Sequence, residues 1–96
     1  RMSIEIGPTD WQMTATIGVD VKGDVWPCVE IPGSAEAFGT GKSVKVVATV
    51  DGQPWSGGLL PTGTGGHMLS LNAKVRKKLG KDVGDEVTVR ITERLT

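Results

Sequence analysis

Apolar and polar side chains alternate along several short stretches of the chain, and a period of two is typical of half-buried β-strands. The clearest stretch is residues 44–50, where every second side chain is apolar and the intervening ones include Lys45 and Thr49. The six predicted strands are residues 12–19, 25–31, 44–50, 53–60, 67–71 and 86–91. This pattern predicts a mainly β fold class. A small closed six-stranded barrel is its simplest form, because closure removes exposed sheet edges.

Turn-forming residues mark where the strands are interrupted or bent. Asp51-Gly52 lies between two apolar runs and is a strong signal for a β-hairpin. Pro27 falls inside the second predicted strand, and its lack of an amide hydrogen favours a sheet edge or a bulge there. Gly57-Gly58 predicts a sharp bend of the kind that a small barrel needs at its corners.

One or two short helices are predicted between the strands. Asn72 is a good N-cap residue, and the helical segment that follows it ends at Gly80, a typical C-terminal glycine. Ser34 is predicted to cap a second, shorter helical turn that ends at Gly39. The barrel therefore carries one or two short helices.

The length, net charge and cysteine content of the chain limit the classes of function that are compatible with it. A chain of 96 residues is enough for one domain with a modest core, residues 1–96. Eleven basic and eleven acidic side chains cancel, so no global field attracts nucleic acid or an anionic membrane. The single cysteine, Cys28, excludes an intramolecular disulfide, and there is no charged apolar leader and no long apolar run. We expect a cytoplasmic protein without a membrane segment.

The stretch GTGKS at residues 39–43 is similar to the end of a phosphate-binding loop. The full pattern requires a glycine at position 36, where this chain has Glu36. A phosphate-binding loop is also followed by a helix whose first amides hold the phosphates, whereas a strand follows here. The sequence therefore predicts a flexible lead into a strand and no nucleotide site.

Candidate catalytic and metal-binding residues are few. The only histidine, His67, could pair with Ser70 or Ser56, but His67 and Ser70 are three positions apart and would face opposite sides of a strand. One histidine and one distant cysteine do not supply the convergent ligands of a zinc site. No cofactor or metal is predicted, and a binding or accessory module is favoured over an enzyme.

The glycine-rich loop at residues 63–66 offers a candidate ligand site. Its backbone amides could bind a small anionic ligand, with His67 at the end of the loop and Arg76 supplying positive charge. The candidate residues for this site are Gly65, Gly66, His67 and Arg76. This site requires that the loop and the helix share one rim of the barrel. A protein partner remains the other candidate ligand of such a module.

A cluster of cations between residues 74 and 81 suggests nucleic acid as an alternative partner. The candidate contacts are Lys74, Arg76, Lys77 and Lys78, with Lys81 beyond them. The alternative without a binding function is a solvent-exposed helix face whose cations lie near the C-terminal end of the helix dipole. No aromatic residues for base stacking interleave with these cations, which favours the solvated face.

Three tryptophans carry most of the aromatic area of the chain. In a small barrel such side chains usually belong to the core, and this is the interpretation we favour for Trp11, Trp26 and Trp55. The alternative is that Trp26 and Trp55 line a ligand pocket.

The order of the motifs resembles a known family. The relevant stretches are W-x-x-V-x-I-P at 26–32, V-K-V-x-A-T-V-D-G at 44–52, LLP-x-G-x-G-x-H-x-L at 59–69, and V-R-K-x-L-G followed by G-D-x-V-x-V at 75–89. Over residues 12–94 the chain resembles the domain of unknown function 1905 (DUF1905) family. The resemblance implies a small bacterial β-barrel without an established activity. Residues 75–89 are also similar to half of an AbrB-like swapped-hairpin DNA-binding barrel, and either a monomer or a homodimer is compatible with such a fold.

Overall fold

A computed structural model describes residues 11–96 of the chain. Eight strands and two short helices follow one another along the sequence. They are β1 (Trp11–Thr16), β2 (Val19–Val21), β3 (Asp24–Trp26), β4 (Cys28–Ile31), α1 (Ser34–Phe38), β5 (Val44–Val50), β6 (Gln53–Pro61), β7 (His67–Ser70), α2 (Ala73–Leu79) and β8 (Glu86–Arg94). The predicted mainly β fold class with two short helices is confirmed.

Six of the strands form one sheet that curls into a nearly closed barrel. Its order is β1-β8-β5-β6-β7-β4, and all neighbours are antiparallel. The two edge strands, β1 and β4, approach each other beyond the end of β1, where the amide of Gly18 donates to the carbonyl of Cys28 at 2.7 Å. The predicted six-stranded barrel is confirmed, and the short β2–β3 hairpin lies outside this sheet.

The core fills the inside of the barrel, as the alternation predicts. Residues that pair across neighbouring strands share a face, so Ala48 of β5 lies between its partners Ile91 of β8 and Trp55 of β6. The fully buried core side chains are Ile17, Val29, Ile31, Phe38, Val44, Val46, Ala48, Val50, Leu59, Leu69, Leu71, Val87, Val89 and Ile91. This apolar interior is the main source of stability, because burial of such side chains contributes roughly 25 cal/mol per Å².

Each helix covers one end of the barrel. At the α1 end, the ring of Phe38 contacts Trp11 at the start of β1 and His67 at the start of β7. At the α2 end, Val75 and Leu79 pack against the core. We refer to these two openings as the α1 end and the α2 end.

The structure corrects the prediction of one continuous strand over residues 25–31. The segment divides at Pro27, so that β3 pairs with β2 whereas β4 pairs with β7. Pro27 has no amide hydrogen to extend a ladder, and its carbonyl instead accepts a hydrogen bond from Leu71. As a result Val25 is exposed, whereas Cys28 is buried.

The tryptophans divide between the core and the surface. Trp11 and Trp55 are partly buried against the core, whereas Trp26 in the β2–β3 hairpin is 41% exposed. The Trp55 indole donates its N–H to the carbonyl of Ser70 at 3.0 Å, and so connects β6 to β7. Its ring lies so near Gly57 that a methyl group there would touch it at 3.4 Å. The absence of a side chain at Gly57 therefore leaves room for the indole, and β6 pairs with β5 in regular register through both glycines.

Candidate functional site

His67 is fully buried at the α1 end, and both of its ring nitrogens are occupied. Nε2 lies 2.7 Å from the carbonyl oxygen of Lys42, which can only accept, so Nε2 carries the hydrogen. The hydroxyl oxygen of Ser34 accepts the backbone N–H of His67 at 2.9 Å and donates its own hydrogen to Nδ1 at 2.7 Å. Every polar atom of the His67 side chain is therefore paired.

This network gives His67 a structural role. Its ring packs edge-on against Phe38, with centroids 5.5 Å apart. No ring nitrogen is left to bind a ligand or to accept a proton from a substrate. The sequence suggested Ser70 or Ser56 as its partner, but the partner is Ser34, 33 positions earlier in the chain. Ser34 was predicted to be a helix cap, whereas it is the first residue of α1 and Gly33 occupies the cap position without a side-chain hydrogen bond.

Gly65 and Gly66 border a shallow groove of about 290 Å³ at the α1 end. The opposite wall is the segment that leads from β4 into α1. The ionisable side chains that line this groove are Glu30 and Glu36, both carboxylates. Two negative charges repel an anion, so the groove is electrostatically unsuited to the small anionic ligand predicted for Gly65 and Gly66.

Arg76 lies at the α2 end, away from the glycine loop. One guanidinium nitrogen donates to the carbonyl of Leu71, and Nε lies 3.2 Å from a carboxylate oxygen of Asp82 without hydrogen-bond geometry. From His67 to Leu71 the chain advances four residues along β7, or about 13 Å. The structure therefore does not bring His67 and Arg76 together, and the four predicted site residues divide between the two ends of the barrel.

A second groove, of about 460 Å³, runs between α2 and the turn that precedes β8. Its lining residues are Ala73, Arg76, Lys77, Gly80, Lys81, Asp82 and Asp85. Arg76 and Lys77 come from the helix, the two aspartates come from the turn, and Lys81 follows the helix and is paired with Asp51. The groove therefore has a positive side and a negative side.

Lys81, which also lines this groove, forms an ion pair of its own. Its ammonium lies 2.7 Å from a carboxylate oxygen of Asp51 and donates to the carbonyl of Glu86 at 2.6 Å. The hydrogen bond from Lys81, followed by one from the amide of Thr88, lowers the pKa of the Asp51 carboxyl below its ordinary value. Lys81 is thus committed to holding the β5–β6 hairpin against β8.

Three further lysines on α2 point into solvent. Lys74, Lys77 and Lys78 are exposed, and within residues 11–96 none of them has an ion pair or a hydrogen bond from its side chain. We call these three residues the lysine ridge. The fourth predicted nucleic-acid contact, Arg76, does not belong to this ridge. Its guanidinium contacts Leu71 and Asp82, and its side chain is only 19% exposed.

An apolar patch adjoins the turn on the α2 side. Val25 of β3 and Val83 of the turn are 60% and 49% exposed. A methyl group on Gly18 would lie 3.3 Å from a methyl of Val83 and 3.5 Å from one of Val25, so the two valines converge over this glycine. We call Gly18, Val25 and Val83 the apolar patch. Sequence patterns missed it because the contact depends on how the hairpin and the turn are placed in three dimensions.

Residues 11–96 contain no group of three or more histidine, cysteine or acidic side chains close enough to hold a metal ion. The thiol of Cys28 is buried, and this burial raises its pKa, although a hydrogen bond with Ser70 acts in the opposite direction. Such a thiol is a poor nucleophile at neutral pH. Neither helix in this part of the chain is long and apolar enough to cross a membrane.

Comparison with known proteins identifies the family of this chain. No curated protein matches the chain. A family model described as Domain of unknown function (DUF1905) matches residues 13–91. The match runs from β1 into β8 and includes both barrel ends, as the motif order predicted. The chain therefore belongs to the DUF1905 family.

Proposed function

We propose that this protein is a non-catalytic binding module that engages a protein partner at the α2 end of the barrel. The observation that carries the proposal is the apolar patch, where Val25 and Val83 converge although about half or more of each side chain is exposed to water. Fully burying one valine side chain stabilises a complex by roughly 1.5 kcal/mol or more. A partner that covers both therefore gains affinity from the patch, and the charged groove beside it supplies orientation.

The alternative of a small anionic ligand at Gly65, Gly66, His67 and Arg76 has less support. The imidazole of His67 has no free nitrogen, and the groove along the glycines is lined by Glu30 and Glu36. Arg76 lies at the other end of the barrel, where its guanidinium is already paired.

A peptide library displayed on phage provides a direct test of the α2 end. We expect selection against the purified protein to enrich peptides that no longer bind the Val25→Lys/Val83→Lys double variant. Leu95→Lys is the matched control, because Leu95 is also an exposed aliphatic side chain but lies near the α1 end. Peptides that bind both variants equally well, or a selection that enriches none, would remove the support for the proposal.

Nucleic acid is a second candidate, favoured by the lysine ridge alone. Three phosphate contacts from Lys74, Lys77 and Lys78 predict that affinity for a DNA duplex falls about forty-fold when salt rises fourfold. Fluorescence anisotropy with a labelled duplex, repeated on Lys77→Glu/Lys78→Glu, measures this. Binding that is independent of salt or of the two lysines would exclude this candidate.

A further inference from the structure

The groove at the α2 end separates two bands of opposite charge. On one side, Lys77 lines the groove and belongs to the exposed lysine ridge. On the other side, the turn contributes Asp82 and Asp85, next to Lys81, whose charge is already paired with Asp51. Asp82 is partly neutralised by Arg76 at 3.2 Å, whereas Asp85 is exposed and its carboxylate accepts the amide of Asp82. Asp85 and Lys77 are therefore the charges best placed to meet a partner.

A surface with two opposite bands is complementary to its own inverted copy. A two-fold axis through the centre of the groove brings the lysine ridge of each molecule over the aspartates of the other. The same operation brings the apolar patch, which borders the aspartates, into the region covered by the partner. The formal net charge of zero adds no long-range repulsion between two copies.

We propose that the partner at the α2 end is a second copy of this chain, held in a two-fold symmetric dimer by reciprocal contacts between Lys77 and Asp85. This inference rests on the proposed function, because it names the partner of the same surface. A partner carrying charge of one sign would match only one band and would face repulsion from the other. A second copy satisfies both bands at once.

Sedimentation velocity over a range of protein concentrations tests the dimer through exchanged charges. Lys77→Glu alone, or Asp85→Lys alone, creates two like-charge contacts in a symmetric dimer and should weaken it at least about tenfold. Mixing the two single variants should restore the dimer, because each contact in the mixed pair again joins opposite charges. Lys45→Glu is the control, since Lys45 is exposed on β5 near the α1 end and should leave the dimer unchanged.

Circular dichroism establishes that each variant is folded, since Asp85 also accepts a hydrogen bond within its turn. If Asp85→Lys fails to fold, Lys77→Glu and the control remain decisive. A wild-type protein that stays monomeric, a dimer unaffected by Lys77→Glu, or one weakened equally by Lys45→Glu overturns the inference. Failure of the dimer leaves the proposed function standing if display selection still yields ligands of the apolar patch.

Discussion

The two ends of the barrel are closed by different chemistry. At the α1 end, a buried histidine, a buried serine and a backbone carbonyl satisfy one another beneath Phe38. The guanidinium of Arg94 lies 5.3 Å from the centre of the Phe38 ring and covers it. At the α2 end, the polar contacts are ion pairs near the surface, with Lys81 on Asp51 and Arg76 on Asp82, and two valines remain in water.

This difference separates a structural end from the end at which we propose that a partner binds. A buried polar network is stable only when all its members are paired, which fixes one arrangement and leaves nothing for a ligand. Surface ion pairs contribute little stability and rearrange easily when a partner approaches. The chemically more suggestive residue, His67, therefore belongs to the structural end, and ordinary lysines and valines form the candidate binding surface.

His67→Ala should be the most damaging substitution, because it breaks the α1 end. It leaves the hydroxyl hydrogen of Ser34 and the carbonyl of Lys42 without partners and opens a cavity beside Phe38, although the backbone N–H of residue 67 can still donate to the Ser34 oxygen. Each unpaired buried group costs about 1–3 kcal/mol, so we expect a loss of about 3 kcal/mol in the free energy of unfolding. Urea denaturation measures this value.

Ser34→Ala should cause a smaller loss in the same assay, because it leaves Nδ1 and the backbone N–H of His67 unpaired but creates little empty space. The matched control is Thr14→Ala, which deletes an exposed hydroxyl contact with Thr88 at 3.3 Å. A loss below about 1 kcal/mol for His67→Ala would mean that water or other groups replace the network, and the contrast between the two ends would disappear.

Arg76→Met should have an intermediate effect, at the α2 end. Methionine keeps much of the apolar stem but leaves the Leu71 carbonyl without the guanidinium that now donates to it. Loss of a hydrogen bond from a charged group predicts a decrease of about 1.5 kcal/mol. Thermal unfolding alongside Lys78→Met, an exposed position on the same helix, provides the comparison. If both variants are equally stable, the hydrogen bond from Arg76 to the Leu71 carbonyl contributes no measurable stability.

Asp51→Asn should have the smallest effect, and the effect should depend on pH. Because the folded pKa of Asp51 is lowered, its carboxylate stabilises the fold at neutral pH, and this contribution is lost as the pH falls through the folded pKa. The pair with Lys81 is partly exposed, so we expect at most about 1 kcal/mol. Asparagine tolerates the positive φ of 49° at this turn position.

The difference in unfolding free energy between wild type and Asp51→Asn should shrink once the pH drops below about 4. Measuring both proteins from neutral to acidic pH checks the sign. A difference that stays constant over this range would assign the effect of Asn to the turn backbone and not to the ion pair.

Most of the strands and the two ends of α2 were predictable because their signals are local. Residues 44–50 form β5 with the alternation read from the sequence, and Asn72 and Gly80 cap α2 as predicted. The break at Pro27 was only partly predictable. Proline signalled a sheet edge or a bulge, but only the pairing of β4 with β7 reveals that the chain divides there.

The candidate site was harder to predict because it depends on distant pairs. Nothing near His67 indicates Ser34, which reaches it only after the sheet has curled. The separation of His67 and Arg76 was easier to predict from the sequence. A predicted strand lies between them, and a strand carries the chain from one end of a barrel to the other. The convergence of Val25 and Val83 required the three-dimensional arrangement of a hairpin and a turn.

The pairing of the first and last strands also bears on how the protein folds. Trp11 of β1 lies opposite Ile91 of β8, and β8 also pairs with β5. Contacts between residues so far apart in sequence are slow to form, because the loop-closure entropy is lost before they contribute. We therefore expect folding on the millisecond-to-second scale typical of β-barrels. The β5–β6 hairpin can form early around Asp51-Gly52, whereas β1 must wait for β8.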